Sequence, residues 1–137
     1  MKFSVLGSGS KGNCTLVEAG TTRLLIDSGF SGKEIVRRLQ LLGIEPESLT
    51  AIVVTHEHDD HVKGIGVLAR RFKLPVYANE GTHRAAEAKI NQLPVARDFG
   101  VGEPFEIEAL QIHPFAVSHD AADPVGFIVS DGQQQLG

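Results

Sequence analysis

Seven consecutive residues, Thr55-His56-Glu57-His58-Asp59-Asp60-His61, hold half of the six histidines of this 137-residue chain together with three carboxylates. They follow the apolar run Ala51-Ile52-Val53-Val54. If that run is a strand and the chain leaves it extended, side chains two apart share a face, so His56 and His58 can offer both imidazoles to one metal ion. Asp60 and His61 come where the chain should turn into a helix, and are expected to diverge from that pair and reach a second ion. Imidazole mixed with carboxylate suits zinc, manganese or iron better than magnesium or calcium. No thiolate lies in the stretch, which argues against a structural zinc finger. The plainer alternative is a polar, histidine-rich loop that happens to follow a buried strand.

The elements that must position this cluster can be read around it. Phe3-Ser4-Val5-Leu6 alternates as a strand does and runs into a Gly/Ser loop from Gly7 to Gly12. That loop formally satisfies Gly-x-Gly-x-x-Gly, with Asp27 at about the distance a dinucleotide fold requires. Such a motif needs a helix directly after it, whereas Thr15-Leu16-Val17-Glu18 and Arg23-Leu24-Leu25-Ile26 read as two strands joined by a turn. The loop could expose backbone N–H groups to a phosphate or carboxylate, or be a tight turn that needs glycine.

A helix is expected from Ser31 to about Leu42, with Ile35, Leu39 and Leu42 inward and Gly43 as its stop. Leu49 to Val54 should be the buried strand that delivers the cluster. A helix from about Asp60 to Phe72 follows, weakened by Gly64 and Gly66, with Asp59 as a cap or a solvated charge. Val76-Tyr77-Ala78 reads as a strand and Thr82 as the cap of a helix to about Ile90, with His83 exposed. Strands are expected at Leu93–Ala96, between Phe105 and Phe115, and from Val125 to Val129. His113 reads as a satisfied strand histidine, and Asp131-Gly132 as a hairpin turn.

Composition sets bounds. With 42% hydrophobic and 22% charged residues the chain reads as a soluble, globular single domain. A net charge of −4 gives no prior for nucleic acid or for an anionic membrane. The single cysteine, Cys14, allows no disulfide within the chain and reads as a small buried residue. The start shows no apolar stretch long enough for a signal peptide or membrane span, so a cytoplasmic protein is the expectation.

His56-x-His58-x-Asp60-His61 after a hydrophobic strand resembles the signature of the metallo-β-lactamase-fold hydrolases. The flanking text tightens the resemblance: Gly7-Ser8-Gly9-Ser10-Lys11-Gly12-Asn13, Asp27-Ser28-Gly29, and Ser118-His119-Asp120 before Pro124-Val125-Gly126-Phe127. Together these look like the bacterial WalJ-type branch, whose members are described as metal-dependent nucleases. The resemblance implies a mixed α/β (α+β) fold, the four-layer αββα sandwich, with residues 1–137 as its N-terminal half and the C-terminal side cut short.

It also implies a site. His56, His58 and His119 would hold one divalent ion, zinc or manganese, and Asp60 and His61 a second. Asp60 would in addition hold or deprotonate the attacking water, and Asp27 would orient ligands and loops. Two ions would bring bound water to a low pKa and supply hydroxide for in-line attack on a phosphodiester. The implied function is a DNA exonuclease or other phosphodiesterase; hydrolysis of a small ester, thioester or lactam is the alternative. A third reading is an inactive metal-binding fragment, because the family's bridging carboxylate and last histidine have no match here. The second sheet is expected to be missing as well, leaving a sheet face bare unless a homodimer or another chain covers it.

Overall fold

A computed structural model describes residues 1–118 and 120–137. Strands β1 (Lys2–Gly7), β2 (Cys14–Ala19) and β3 (Thr22–Ile26) form an antiparallel meander, and β4 (Ala51–Val53), β5 (Pro75–Ala78) and β6 (Val95–Asp98) extend it in parallel, giving the order β1-β2-β3-β4-β5-β6. Parallel neighbours need crossovers. These contain α1 (Gly32–Leu41), the single turn α2 (Asp59–Val62) with α3 (Ile65–Phe72), and α4 (Glu80–Ile90).

The central strands are buried on both sides, so their residues sort alternately into two cores. Leu16, Leu25 and Ile52 pack under Ile35, Leu39, Ile65 and Leu68 of the helices. Val17, Leu24, Ala51 and Val53 face the other way, onto Leu110, Ile112, Phe127 and Val129. Those last residues belong to a second sheet: β7 (Phe105–Ile107), β8 (Leu110–Ala116), β9 (Val125–Ser130) and β10 (Gln135–Leu136), antiparallel in the order β10-β9-β8-β7.

The expectation of a missing second sheet is therefore corrected. The strands after Phe105 are the covering layer, because β8 and β9 alternate with one apolar face turned to the first sheet. Three layers result, helices on sheet on sheet. Thr22 helps to join the two sheets: its hydroxyl accepts the Ala109 N–H at 3.2 Å and lies 3.3 Å from Glu108 Oε2. The argument for a covering homodimer loses its ground except along β1, where Phe3 and Val5 stay 54% and 59% exposed. Among the described residues, no helix is long and apolar enough to cross a membrane.

Smaller differences have local causes. The helix expected from Asp60 to Phe72 is broken after Val62, since Gly64 lies so close to the loop above it that a Cβ would stand 2.1 Å from the Phe30 carbonyl oxygen. Leu42, expected inward, is 49% exposed because α1 ends at Leu41. The cap of α4 is Asn79, which accepts the N–H of Thr82; Thr82 is not itself the cap. His83 is not simply exposed: its Nε2 lies 2.7 Å from the Arg97 carbonyl oxygen, on which it can donate. β4 is shorter than the apolar run that contains it, and β6 begins after Pro94. Cys14 is 1% exposed, and burial, helped by the charge of Asp27, pushes its thiol far above the usual range.

The β9–β10 connection is the hairpin turn expected at Asp131-Gly132, with Gly132 at φ +94°. Asp131 accepts the N–H groups of Gln134 at 2.8 Å and Gln133 at 2.9 Å, and these hold its pKa down at about 2. A carboxyl depressed by folding contributes stability above its unfolded pKa, and loses that contribution as pH falls through the folded value. The expected outcome is a carboxyl titration near pH 2 by NMR, and an acid unfolding profile between about pH 4 and 2 that flattens in Asp131→Ala. A titration near the ordinary Asp value would contradict it.

Candidate metal centre

The histidine stretch begins where β4 ends, at the edge where the two sheets and α2 meet. His56 and His58 lie together, their ring centroids 4.8 Å apart in an edge-on arrangement. His61 does not diverge from them as expected: its ring centroid is 3.9 Å from that of His56. The reason is local and tertiary at once. The turn α2 starts at Asp59, with His58 in the N-cap position, so His61 comes round one helical turn later. Asp27 then holds its ring from the side opposite Asp60.

Asp27 is the hub. It is 3% exposed, sits at φ +62°, and directly follows β3 with its N–H on the Val53 carbonyl. Its Oδ1 accepts the Thr55 N–H at 2.8 Å; its Oδ2 accepts the Thr55 hydroxyl at 2.7 Å and His61 Nδ1 at 2.6 Å. Burial raises the pKa of this carboxyl, and the bonds from His61 and Thr55 work against that rise. For His61, burial favours the neutral ring, but the hydrogen bond and charge of Asp27, with Asp60 beyond, outweigh it and raise its pKa.

The network fixes ring tautomers. An ionised Asp27 can only accept, so the one Thr55 hydroxyl proton is used on Oδ2 and His61 must be protonated on Nδ1. Thr55 Oγ1 also lies 2.8 Å from His56 Nδ1, and with its proton spent it must accept there. On neutral rings both His56 and His61 then carry their proton on Nδ1, which makes Nε2 the unprotonated nitrogen, the one through which a metal would be met. His61 Nε2 faces Asp60 Oδ2 across 3.6 Å.

Asp60 is held from beneath. Asn13 donates its side-chain N–H to Asp60 Oδ2 at 3.0 Å and to the Asp60 carbonyl at 3.1 Å, and its own backbone N–H to that carbonyl at 2.7 Å. The same side chain pins the Gly/Ser loop through Gly9. A Cβ at Gly7 or Gly12 would strike the Phe30 ring at 2.3 or 2.5 Å, so the loop's glycines serve to close it around Phe30. Asp59 is not a cap; its carboxylate pairs with Lys89 at 3.2 Å.

The structure thus brings Asp27, His56, His58, Asp60 and His61 into one cluster. His119 lies outside the described residues. Among the described residues, no three His, Cys, Asp or Glu side chains form a group that could by itself hold a metal ion. The donor chemistry, imidazoles with preset tautomers beside an oriented carboxylate, fits a first-row divalent ion. Asn13 and Thr55 stand in the quoted motifs but received no role from the sequence; an Asn after a glycine loop and a hydroxyl after a buried strand were the only signals, and both are common in turns.

Comparison with known proteins agrees with this architecture. The family model described as "Metallo-beta-lactamase superfamily" matches residues 7–133. Exodeoxyribonuclease YycJ of Bacillus anthracis is 41% identical over 138 residues, covering 99% of this chain and 52% of the relative. Exodeoxyribonuclease WalJ of Streptococcus pneumoniae serotype 2 is 41% identical over 127 residues, covering 90% and 47%. The chain spans about half the length of the curated relatives it matches. Among solved structures, the Rm3 metallo-beta-lactamase superposes with TM-score 0.78 at 21% identity, covering 98% of this chain and 56% of that one. The metallo-beta-lactamase fold protein YhfI from Bacillus subtilis gives 0.79 at 20% identity, covering 97% and 59%. On the family match over nearly its whole length, with the two-sheet fold to go with it, the chain belongs to the metallo-beta-lactamase superfamily.

Proposed function

We propose that the cluster is a divalent-metal centre, for zinc or manganese, and that it serves phosphodiester hydrolysis on DNA. The observation that carries the reading is the Asp27 network, which holds Nδ1 of His61 directly and Nδ1 of His56 through Thr55, with His61 Nε2 3.6 Å from the Asp60 carboxylate. The 41% identity to two exodeoxyribonucleases supports DNA as the substrate. His56, His58 and His119 would hold one ion, and Asp60 and His61 the other.

A divalent ion held by these residues would supply Lewis acidity to a phosphoryl oxygen of the substrate. The chain's own residues do the remaining work. Asp27 and Thr55 hold the rings of His61 and His56 by their Nδ1 atoms. Asn13 aims the Asp60 carboxylate, which can accept a proton from the attacking water. A second reading, a metal-binding piece without hydrolysis, is favoured by one observation: the chain spans about half the length of the exodeoxyribonucleases it matches.

Metal content and DNA degradation separate the two. About two ions per chain after dialysis, falling in His58→Ala and in Asp60→Ala, together with loss of linear DNA on adding zinc or manganese, is the expected result. Ions bound without DNA loss would leave the second reading standing, and no ions bound would remove both.

A further inference from the structure

Glu57 stands between two of the candidate ligands but points away from them. Its carboxylate accepts the backbone N–H of Ala122, at 3.0 Å to Oε2 and 3.3 Å to Oε1. Ala122 belongs to the segment joining β8 to β9, on the second sheet, so this bond runs from the histidine stretch of one sheet to a connection of the other. The ends of that segment are fastened separately. Val117 N–H bonds the Pro124 carbonyl at 3.2 Å, Val125 N–H bonds the Thr55 carbonyl at 2.9 Å, and the Asn79 side chain donates to the Asp123 carbonyl at 2.6 Å. The backbone of Glu57 is fixed in turn: Lys89 of α4 donates to its carbonyl oxygen at 2.9 Å while pairing with Asp59.

We propose that Glu57 is a positioning residue, whose carboxylate holds the segment around Ala122 against the histidine loop and so sets the geometry of the metal centre. The proposal rests on the metal reading above. It follows from the arrangement of supports. Lys89 anchors the loop to the helix layer, and the Glu57 carboxylate hands that anchorage across to the second sheet. A carboxylate on a backbone N–H is a charge-assisted bond, and here it reaches a connection whose described residues are all exposed or half-buried, where local rather than global stability is at stake. Donors that share one ion must be held by such outer contacts to bind it well.

The test compares Glu57→Ala with Glu57→Gln, whose amide oxygen can still accept the Ala122 N–H. Zinc affinity is measured by competition with a chromophoric chelator, and cobalt-loaded protein is compared by visible absorption. Glu57→Ala is expected to bind zinc on the order of tenfold more weakly with an altered cobalt spectrum. Glu57→Gln should restore most of both, and the unfolding midpoint of the metal-free chain should be the same in all three. Wild-type affinity in Glu57→Ala, an equal loss in both variants, or a metal-free midpoint that falls in step with affinity would each overturn the proposal. If the wild type itself binds no zinc, the metal reading fails, and amide exchange at Ala122 decides whether Glu57 holds the segment. Protection lost in Glu57→Ala and kept in Glu57→Gln supports that role, and protection unchanged in Glu57→Ala overturns it.

Discussion

Asp27→Asn is expected to weaken zinc binding by on the order of 10–100-fold while leaving the unfolding midpoint nearly where it was. Asn keeps the shape of Asp and tolerates the left-handed backbone at φ +62°, and its Oδ1 can still accept the Thr55 N–H. What changes is the other atom, which turns from acceptor to donor. The Thr55 oxygen must then accept from Asn and give its own proton to His56 Nδ1, and His61 Nδ1 must accept as well. Both rings are driven to the opposite tautomer, with hydrogens on the Nε2 atoms that should meet the ion. Nitrogen-detected NMR of the imidazoles reads the tautomers and calorimetry with zinc reads the affinity. Unchanged Nδ1–H signals in the variant would sink the network as described. Asp27→Ala is a poorer test, because it strains the backbone and orphans three donors together.

Gly29→Ala is expected to destabilise the fold by about 2–3 kcal/mol, read as a lower urea midpoint. A Cβ there would lie 1.8 Å from the Asp60 carbonyl oxygen, 2.3 Å from the Asp60 carbonyl carbon and 2.8 Å from the Asn13 nitrogen. All three are backbone atoms, so no side chain can swing aside. The shift must pull Asp60 from the Asn13 N–H, and metal content should fall together with stability. Gly43→Ala serves as the comparison: nothing lies within 4 Å and φ is +74°, so its cost is backbone strain alone, about 1–2 kcal/mol. Equal midpoints for the two variants would show that the close approach at Gly29 relaxes freely.

These two positions show what sequence could and could not reveal. The histidine stretch announced itself through residue type and spacing, and the Gly-x-Gly-x-x-Gly at the start was set aside because strands follow it, as β2 and β3 do. Local chemistry also gave the Asp131-Gly132 turn. The second sheet was read wrongly because a period of two says that a strand has a buried face, not which sheet it faces. That the His61 ring lies beside His56 and does not diverge from it was not legible, because its direction depends on Asp27, 34 residues away in sequence. The same holds for Asn13 on Asp60, 47 residues apart, and Glu57 on Ala122, 65 apart. Such contacts have no periodicity and exist only once the layers have closed. Asp27 could be assigned an orienting role only by resemblance, since on its own residues it reads as an ordinary turn Asp.

The burial of Cys14 makes the chain its own clock for local opening. Cys14 follows Asn13, whose backbone and side chain clasp Asp60, its side chain lies in the core under the helices, and it is the single cysteine present. An alkylating reagent in water must wait for the core around the start of β2 to open before it can react. Each labelled molecule therefore records one excursion, at a single known place. Labelling rates taken with and without added zinc give, as a lifetime, how long the junction between β2 and the histidine loop stays shut, without any spectroscopic probe having to be introduced.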